Sequence, residues 1–515
     1  MQNNDQNQTK VIIIGAGFSG IGLACQLKRK LKYHNFRIYD RAPELGGTWF
    51  HNTYPGAQCD IPSVMYSYYF FPNYHWTQIF SAQPEILQYM NRVSFAYGLK
   101  KHLQFNTECL GAKWCSETAQ WNVEFQNLKT LETYTKSCKV LITGAGILTV
   151  PNDFPLPGKE NFKGEIFHSA KWNHQVDLTN KQVVVIGNGC SATQFVPVIV
   201  DKTKKTVQFI RSAHSLLPTI ENDDVGLSKF IKTCMNYSKY IPFLNTMLRY
   251  LLFFTLDADF ELFDFEHGSK RRQEGDLKSK LHIEKNAPAK YIKMLTFNQE
   301  FGSKRRVFDT GYLECLHKSN MELRNDRLAR VVENGVITES NELIPADVII
   351  SANGFKAQEL LMPMTITGDD GMTLTERWAK QNVPAQAYKG TFVSNCPNFA
   401  MLMGPNTVTG HHSVIFTSEC QMNLIIDYLK PLLIKPWFKP TVRTLKVKDT
   451  AEIMYNNWIR NRFEKLIWKS PKAKDWSNWY VHHQSGQNAL IYPHYQSHFY
   501  WDTLWMKKSD FEYVY

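Results

Sequence analysis

The chain opens with a short apolar run, a glycine-rich turn and a segment whose apolar residues recur at helical spacing. The apolar run is 11–14, the turn contains three glycines, and the helical spacing extends from about residue 21 to residue 31. A second apolar run, "NFRIYD", ends at Asp40. This order of strand, turn, helix and strand predicts a βαβ unit with parallel strands.

The same pattern returns in the middle of the chain at "KQVVVIGNGCSATQFVPVIV", which is followed by the strand-like "KTVQFIRS". Between the two halves of this second unit, residues 220–302 leave the strand-and-turn pattern and predict helices rich in Lys, Phe and Leu. The fold class is therefore α/β, with two Rossmann-like dinucleotide-binding domains and a helical insertion.

Each glycine of the first turn has a predicted task. Gly15 makes the tight turn, Gly17 lets a pyrophosphate approach the backbone, and Gly20 lets helix and strand pack closely. The N-terminus of the helix faces the phosphates, and Asp40, twenty positions after Gly20, accepts hydrogen bonds from a ribose diol. A strand before, a helix after and an acid at this distance predict a dinucleotide site.

The second turn, in which Gly187, Gly189 and Ser191 are assigned to cofactor binding, differs at the end of its second strand. There Arg211 and Ser212 stand where an acid is expected. A carboxylate repels a 2′-phosphate whereas a guanidinium binds it, so this unit is predicted to select NADPH over NADH. A surface arginine without a ligand is the alternative.

A chain of 515 residues exceeds one compact core, which supports a division into domains. The predicted parts are a flavin domain at 1–150 and 385–515, an NADP domain at 151–219 and 303–384, and the insertion at 220–302.

Two dinucleotide sites in one chain imply electron transfer from a nicotinamide to a flavin, which predicts NADPH and FAD as cofactors. Disulfide reductases share this layout, but the ten cysteines stand singly, without a CxxC pair. Dioxygen is therefore the leading electron acceptor, and reduced thiols favour a cytoplasmic protein.

Composition and charge indicate which classes of partner the protein is expected to bind. The net charge is +12, yet Lys and Arg occur only in short runs, which favours small anionic ligands over nucleic acid. The polar start, "MQNNDQNQTK", lacks the apolar core of a signal peptide. The apolar stretch 240–256 contains Pro242, Asn245 and Arg249, which predicts a buried or interface helix rather than stable membrane insertion.

The stretch "FKGEIFHSAKWN" contains Phe162, Gly164, His168 and Trp172 in the order FxGxxxHxxxW. With this spacing the chain resembles the flavin-dependent monooxygenases of the Baeyer-Villiger type; Asn173 departs from the Pro or Asp that often follows the tryptophan. His168 can be interpreted as a general base, but the resemblance places the stretch between the domains, which favours a structural or conformational role.

Two further stretches extend the resemblance. "GGTWFHNTYPGAQCD" is similar to the flavin-side signature of that family, with Gln58 where arginine is usual, and "MLMGPNTVTGHHSVIF" to a late segment that closes over the flavin ring. The resemblance assigns these residues to cofactor binding: Gly47, Thr48, Trp49, Asp60 and Asn406. For Trp49, filling the core is the alternative role. No metal is predicted, because the paired His411 and His412 cannot both face one ligand in a strand.

A third stretch, "FGSKRRVFDTGYLECL", resembles the segment beside the nicotinamide. The match makes Arg305 the active-site arginine, held by Asp60, and Lys304 a partner of the NADP phosphate, although Arg306 leaves the register open. The resemblance implies that one oxygen atom from dioxygen is inserted beside a ketone carbonyl through a flavin peroxide, giving an ester or lactone.

The expected substrate is a small ketone or other lipophilic compound. Two alternatives stay open: an N- or S-oxygenating monooxygenase, and a flavin-bearing binding or regulatory protein without turnover, which the departures at Gln58 and Asn173 suggest. The sequence leaves the oligomeric state undetermined.

Overall fold

The computed structural model describes residues 9–220, 226–435, 440–475, 479–482 and 484–515. The strands are β1 (Val11–Ile14), β2 (Phe36–Tyr39), β3 (Leu103–Gln104), β4 (Thr107–Cys115), β5 (Gln120–Asn127), β6 (Thr133–Cys138), β7 (Val140–Thr143), β8 (Glu165–His168), β9 (Gln182–Ile186), β10 (Lys205–Phe209), β11 (Leu216–Pro218), β12 (Val307–Asp309), β13 (Met321–Arg324), β14 (Leu328–Val332), β15 (Gly335–Thr338), β16 (Leu343–Pro345), β17 (Val348–Ser351), β18 (Thr365–Thr367), β19 (Phe399–Met401), β20 (Thr444–Val447) and β21 (Phe511–Val514). The helices are α1 (Phe18–Leu31), α2 (Thr48–His51), α3 (Gln83–Ala96), α4 (Cys190–Val200), α5 (Gly226–Ser238), α6 (Pro242–Ala258), α7 (Ser269–Asn286), α8 (Ile292–Leu295), α9 (Tyr312–Cys315), α10 (Leu374–Lys380), α11 (Val414–Leu433), α12 (Asp449–Phe463) and α13 (Gln496–Thr503).

The first unit is built on a parallel sheet with the strand order β19-β7-β1-β2-β3. Strand β1 is buried on both faces, which explains why its four residues are all apolar. Val11 and Ile13 pack in a core with α1 and α11, whereas Ile12 and Ile14 face the sheet of β4, β5, β6 and β18. Helix α1 follows Gly17 directly and begins at Phe18, three residues before the predicted start.

The second unit repeats this plan with the strand order β13-β10-β9-β17-β8, and all of its neighbours are parallel. Val183 and Val185 of β9 face the core that contains α4 and α9, and Val184 faces the core beside β14–β16. The predicted α/β class with two parallel sheets is confirmed.

The helices α5 to α8 lie between β11 and β12, within the stretch predicted as a helical insertion; residues 221–225 of that stretch lie outside the described residues. Apolar residues of α5 and α6 join the core of the first unit, and those of α7 and α8 join the core of the second. None of the helices in the described ranges combines the length and the apolar character needed to cross a bilayer.

The chain returns to the first unit earlier than the predicted boundary between residues 384 and 385. Strand β18 pairs with β4, and Leu374 and Trp378 of α10 are buried in the same core as β4 and β5. The segment 365–380 therefore packs on the first unit. An edge strand of only three residues is too short to carry a periodic signal of this return.

Candidate functional site

A cavity of about 1780 Å³ lies between the two units. It begins where β1, β2 and β7 of the first sheet and β9, β10 and β17 of the second sheet reach their carboxyl ends, as expected for doubly wound sheets. Fourteen of the residues assigned from the sequence line it: Gly15, Gly17, Asp40, Gly47, Thr48, Trp49, Asp60, Gly187, Gly189, Ser191, Arg211, Ser212, Lys304 and Arg305. The structure thus brings together residues that lie far apart in the chain, whereas Gly20 and Asn406 lie outside this lining.

The first glycine turn leaves an open cradle at the start of α1. A Cβ atom on Gly47 would lie 2.8 Å from the Cα atom of Gly17, so Gly47 excludes a side chain, whereas a Cβ atom on Gly17 would lie 3.5 Å from the Cα atom of Gly47. Helix α1 begins without a side-chain cap and without an acid in its first turn. Its free N–H groups and the close glycine backbones fit the pyrophosphate of a dinucleotide.

Gly20 does not line the cavity but packs closely against the turn that forms this cradle. A Cβ atom there would lie 1.9 Å from the carbonyl oxygen of Gly15, which itself adopts φ +102°. Asp40, at the end of β2, accepts hydrogen bonds from the backbone N–H groups of Ala16 at 2.6 Å and Ala42 at 2.8 Å. Two carboxylate oxygens offer about four acceptor positions, so capacity for a ribose hydroxyl remains.

The second glycine turn is the more open of the two. A Cβ atom on Gly189 would meet nothing within 4 Å, while one on Gly187 would lie 2.4 Å from the carbonyl oxygen of Ala352. Helix α4 follows at Cys190, again without a side-chain cap or an early acid. A ligand phosphate therefore has free access to this helix N-terminus as well.

Cationic side chains gather at the end of β10. Lys304 donates a hydrogen bond to the Oγ atom of Ser212 at 2.8 Å, and Arg211 is exposed at the same end of the cavity. Burial and the charge of Arg211 lower the pKa of Lys304. The same two cations, with burial as the larger cause, lower the pKa of His214 to about 4. An anionic ligand would relieve this repulsion, as expected for a 2′-phosphate.

Arg305 and Asp60 form a two-point ion pair in the wall of the cavity. The Nε atom donates to Oδ2 at 2.8 Å and the Nη2 atom to Oδ1 at 2.7 Å, and both side chains retain about a quarter of their exposure. Burial acts to lower the pKa of Arg305, but Asp60, Tyr480 and Cys190 outweigh it, so the pKa lies above its ordinary value. The guanidinium is therefore a permanent, oriented positive charge.

The two adjacent arginines of the Lys-Arg stretch have different partners. Arg306 points to a different partner, the Oδ2 atom of Asp259 at 2.8 Å, and is not among the residues that line the cavity. Arg305 is the arginine that faces the cavity.

A hydrogen-bonded joint connects the two units beside this ion pair. Tyr54 donates to the Oε1 atom of Gln194 at 2.9 Å, and the side chain of Gln194 donates to the carbonyl oxygen of Gln58 at 3.1 Å. Gly56 adopts φ +79°, and a Cβ atom there would also lie 2.6 Å from the carbonyl oxygen of Gln194, so both the backbone conformation and the close contact require glycine. Gln58 thus takes part through its backbone, and α4 holds the loop that ends at Asp60.

The FxGxxxHxxxW stretch packs into the second unit and reaches the same joint. Trp172 contacts Phe195 of α4 with ring centroids 5.3 Å apart, and Phe195 contacts Tyr54 at 6.0 Å. His168, at the end of β8, accepts a hydrogen bond at Nδ1 from the N–H of Ala170 at 3.0 Å, and burial lowers its pKa. His168 also lines the cavity.

Asn173, which departs from the family pattern, and Gly164, which matches it, both have local structural roles. Asn173 closes a turn by accepting a hydrogen bond from the N–H of Gln175 at 3.1 Å. A Cβ atom on Gly164 would lie 2.1 Å from the carbonyl oxygen of Asp347, so this glycine permits the close approach of β8 to the start of β17.

The late segment closes one side of the cavity. Asn406, with φ +56°, donates to the carbonyl oxygen of Asn488 at 3.3 Å and so fastens two loops without facing the cavity. His412 lines the cavity, while His411 lies beside Asp257 at 3.8 Å. Among the residues that the structure describes, no group of three His, Cys, Asp or Glu side chains converges as metal ligands do.

Trp49 packs in the core of the first unit and also borders the cavity. It is 8% exposed, contacts the Tyr66 ring and donates to the Tyr66 hydroxyl at 3.2 Å, yet it also lines the cavity.

Sequence reasoning missed four residues at the site. Cys190, Gln194, His214 and Tyr480 lie against the assigned residues, and three of them carry no motif signal. Cys190 was detectable, because it follows the second glycine of the turn directly. Burial raises the pKa of the Tyr480 hydroxyl to about 12, with a smaller opposing effect from Arg305.

Removing the hydroxyl at the joint gives the first testable prediction. Tyr54→Phe should cost about 1 kcal/mol of stability and, because the Asp60 loop loosens, lower the rate of substrate-coupled NADPH oxidation several-fold. Tyr312→Phe is the matched control, since Tyr312 also donates to a buried glutamine, Gln208, at 2.8 Å, but within one unit. Thermal unfolding and steady-state rates of both variants distinguish them; equal rates would contradict a coupling role for the joint.

Comparisons with known proteins agree with this geometry. Residues 8–228 match the model of a family described as "Flavin-binding monooxygenase-like". A Baeyer-Villiger monooxygenase of Streptomyces coelicolor is 30% identical over 94% of this chain and 88% of its own length. One of Pseudomonas aeruginosa is 31% identical over 94% and 87%.

Among solved structures, an oxidized steroid monooxygenase bound to NADP superimposes with a TM-score of 0.80 at 23% identity, covering 98% of this chain and 99% of the other. The two folds are therefore the same over nearly their whole lengths.

Proposed function

Because this chain belongs to the family of Baeyer-Villiger monooxygenases, we propose that it inserts one oxygen atom from dioxygen beside the carbonyl of a ketone, giving an ester or lactone. One molecule of NADPH is oxidised per turnover, and the second oxygen atom leaves as water. The observation that carries this proposal is the Arg305–Asp60 ion pair in a cavity that opens onto both glycine cradles.

The cradles suit two different dinucleotides. The turn at Gly15 and Gly17, with Asp40 beside it, would hold FAD, and the turn at Gly189, with Arg211, would hold NADPH. When bound, NADPH supplies a hydride and FAD supplies the redox chemistry that activates dioxygen. Lys304 and Ser212, hydrogen-bonded to each other, would hold the 2′-phosphate together with Arg211.

The role of Arg305 follows from its charge and its support. Negative charge develops on the carbonyl oxygen of the ketone as the carbonyl carbon becomes tetrahedral, and a fixed cation stabilises that charge without reorganising. Asp60 holds the guanidinium at two points, so its orientation is set before substrate binds. The partly buried position of the pair reduces screening by water.

A product panel tests the reaction class. Purified protein reconstituted with FAD is supplied with NADPH and dioxygen and offered linear and cyclic ketones in one set and sulfides in another. Ester or lactone formation in proportion to NADPH consumption is expected. Sulfoxide without any ester would favour an N- or S-oxygenating enzyme instead, and a protein that consumes NADPH without any product would contradict the proposal.

The nicotinamide preference depends on Arg211. Arg211→Asp should raise the KM for NADPH by about tenfold or more and lower the preference for NADPH over NADH, because the variant carboxylate repels the 2′-phosphate. Lys202→Asp, on the turn after α4, is a control for the change in net charge. The ratio of kcat/KM for the two nicotinamides is the measurement; an unchanged ratio would remove Arg211 from the site.

The expected compartment is the cytoplasm. All ten cysteines have free thiols, and most are buried. Reducing conditions and a supply of NADPH suit such a protein.

A further inference from the structure

The hairpin of α5 and α6 carries a large exposed apolar surface. Its outward side chains, each at least a third exposed, are Leu227, Phe230, Tyr237, Tyr240, Ile241, Phe243, Met247, Tyr250, Leu251 and Phe254. We call this set the hairpin face. Ten exposed apolar side chains on one helical hairpin indicate an interaction surface.

Helix α6 is apolar on both sides. Phe243, Met247, Tyr250 and Phe254 follow one another at spacings of four, three and four, which places them on one stripe of the helix. Leu248, on another side, is fully buried in the core of the first unit. A helix that is apolar all round is expected to be covered on both sides, yet the outward stripe of α6 is bare.

The charged residues of the hairpin limit the kind of partner that can cover the hairpin face. Within the hairpin, residues 226–258, the chain has Lys229, Lys232, Lys239 and Arg249, and its one acid, Asp257, is buried. Lys229 and Lys239 are exposed on the hairpin, and the Nζ atom of Lys239 lies 5.0 Å from the centre of the Tyr240 ring. Lysines that border aromatic and aliphatic side chains suit an anionic, apolar partner.

The hairpin is fastened to the protein. Buried Arg249 donates hydrogen bonds to the carbonyl oxygen of Ser67 at 2.8 Å and to its Oγ atom at 3.1 Å, and its guanidinium lies 3.9 Å from the centre of the Tyr69 ring. This arginine explains the charge inside an otherwise apolar run. It also keeps α6 on the protein, so the hairpin face can lie on a bilayer but not cross it.

We propose that the hairpin face binds reversibly to the surface of an anionic lipid bilayer, with its aromatic side chains at the level of the headgroups and its lysines against the lipid phosphates. A second copy of the chain is a poorer occupant, because a two-fold axis through the face would bring the lysines of both copies together. This inference does not depend on the proposed oxidation chemistry.

The hairpin face lies close to the cavity, which suggests why the protein would bind a bilayer through it. On the inner side of α6, Phe253 contacts the ring of His412, with centroids 4.6 Å apart, and His412 lines the cavity. A protein lying on its hairpin face would therefore hold the wall of its cavity within one helix diameter of a bilayer, where lipophilic small molecules concentrate.

Sedimentation with vesicles tests the proposal on the full-length protein. Binding to vesicles of phosphatidylcholine mixed with phosphatidylserine is expected, with weaker binding to phosphatidylcholine alone and weaker binding at high salt. The variant carrying Phe243→Ser, Tyr250→Ser and Phe254→Ser should lose about tenfold or more of its bound-to-free ratio. Lys229→Glu with Lys239→Glu should lose about fivefold or more per lysine on the mixed vesicles.

Matched controls lie elsewhere on the surface. Phe95→Ser, at a phenylalanine that is 88% exposed on α3, and Lys129→Glu, at an exposed lysine on the turn after β5, should bind like the unaltered protein. Unchanged binding by the triple variant, or no binding of the unaltered protein to mixed vesicles, would overturn the proposal.

A conservative pair of variants covers the case in which the triple variant does not fold. Phe254→Trp should place an indole where brominated phosphatidylcholine quenches its emission, and Phe95→Trp should not. Light scattering after size-exclusion chromatography distinguishes the other occupant. A dimer that Phe254→Ser dissociates, combined with no vesicle binding, would show that a second copy covers the face and the lipid proposal is wrong.

Discussion

Arg305→Ala will reduce ester formation by at least about a hundredfold while NADPH still reduces the flavin. The reason is the position of the charge: Arg305 faces the cavity and is held by Asp60 at two hydrogen bonds of 2.7 and 2.8 Å. Removing it takes away the stabilisation of the developing negative charge, but leaves both glycine cradles intact. Reduction of the flavin under nitrogen, followed at its visible absorbance, and product formation in air measure the two steps separately.

The adjacent arginine is the control for this experiment. Arg306 pairs with Asp259 outside the cavity, so Arg306→Ala should cost some stability yet keep ester formation within a few-fold of the unaltered enzyme. Asp60→Asn should resemble Arg305→Ala more closely than Arg306→Ala does, because it leaves the guanidinium without its orienting carboxylate. If Arg306→Ala abolished the product and Arg305→Ala did not, the assignment would be reversed.

Gly20→Ala is expected to destabilise the protein by about 3 kcal/mol or more and to prevent retention of the flavin. The added Cβ atom would lie 1.9 Å from the carbonyl oxygen of Gly15 and 3.3 Å from a methyl carbon of Ile13. The gain in helix propensity from glycine to alanine, about 1 kcal/mol, is smaller than this clash. The backbone of Gly15 cannot move aside without opening the turn that precedes α1.

Gly22, on the same helix, provides the comparison. A Cβ atom there would meet the end of the Met422 side chain at 2.5 Å and the ring of Tyr68 at 2.8 Å. Methionine is flexible and can repack, so Gly22→Ala should be the milder change. Urea unfolding and the amount of flavin bound per protein measure both effects; equal stability losses in the two variants would refute the backbone argument for Gly20.

The glycine turns were predictable because their signal is local. The apolar run of β1, the glycines that follow and the helix spacing of α1 lie within about twenty residues, and each is dictated by backbone geometry at that place. The same is true of β9 and α4, and of Arg211 at the end of the second unit's next strand. A local pattern can be interpreted without knowledge of the fold.

The site itself contains contacts that no local pattern reports. Gln194 accepts a hydrogen bond from the hydroxyl of Tyr54, which lies 140 positions earlier in the chain. Neither residue belongs to a motif that predicts the other. Likewise, β18 pairs with β4 although the whole second unit lies between them in the chain, so the chain returns to the first unit before the predicted boundary at residue 385. Tertiary packing determines such contacts.

What the sequence determined by itself is the pair of dinucleotide cradles and the residue types around them, because a strand, a glycine turn and a helix N-terminus are built from neighbouring residues. What only the tertiary structure decided is which charge faces the cavity. Arg305 and Arg306 are adjacent and chemically identical. Arg305 faces the cavity because the fold places Asp60, 245 positions away, against it, whereas Arg306 pairs with Asp259. Tertiary packing also determines which side of α6 is exposed. The apolar residues on its two sides are similar in the sequence, but only one side packs against the first unit and the other is left exposed.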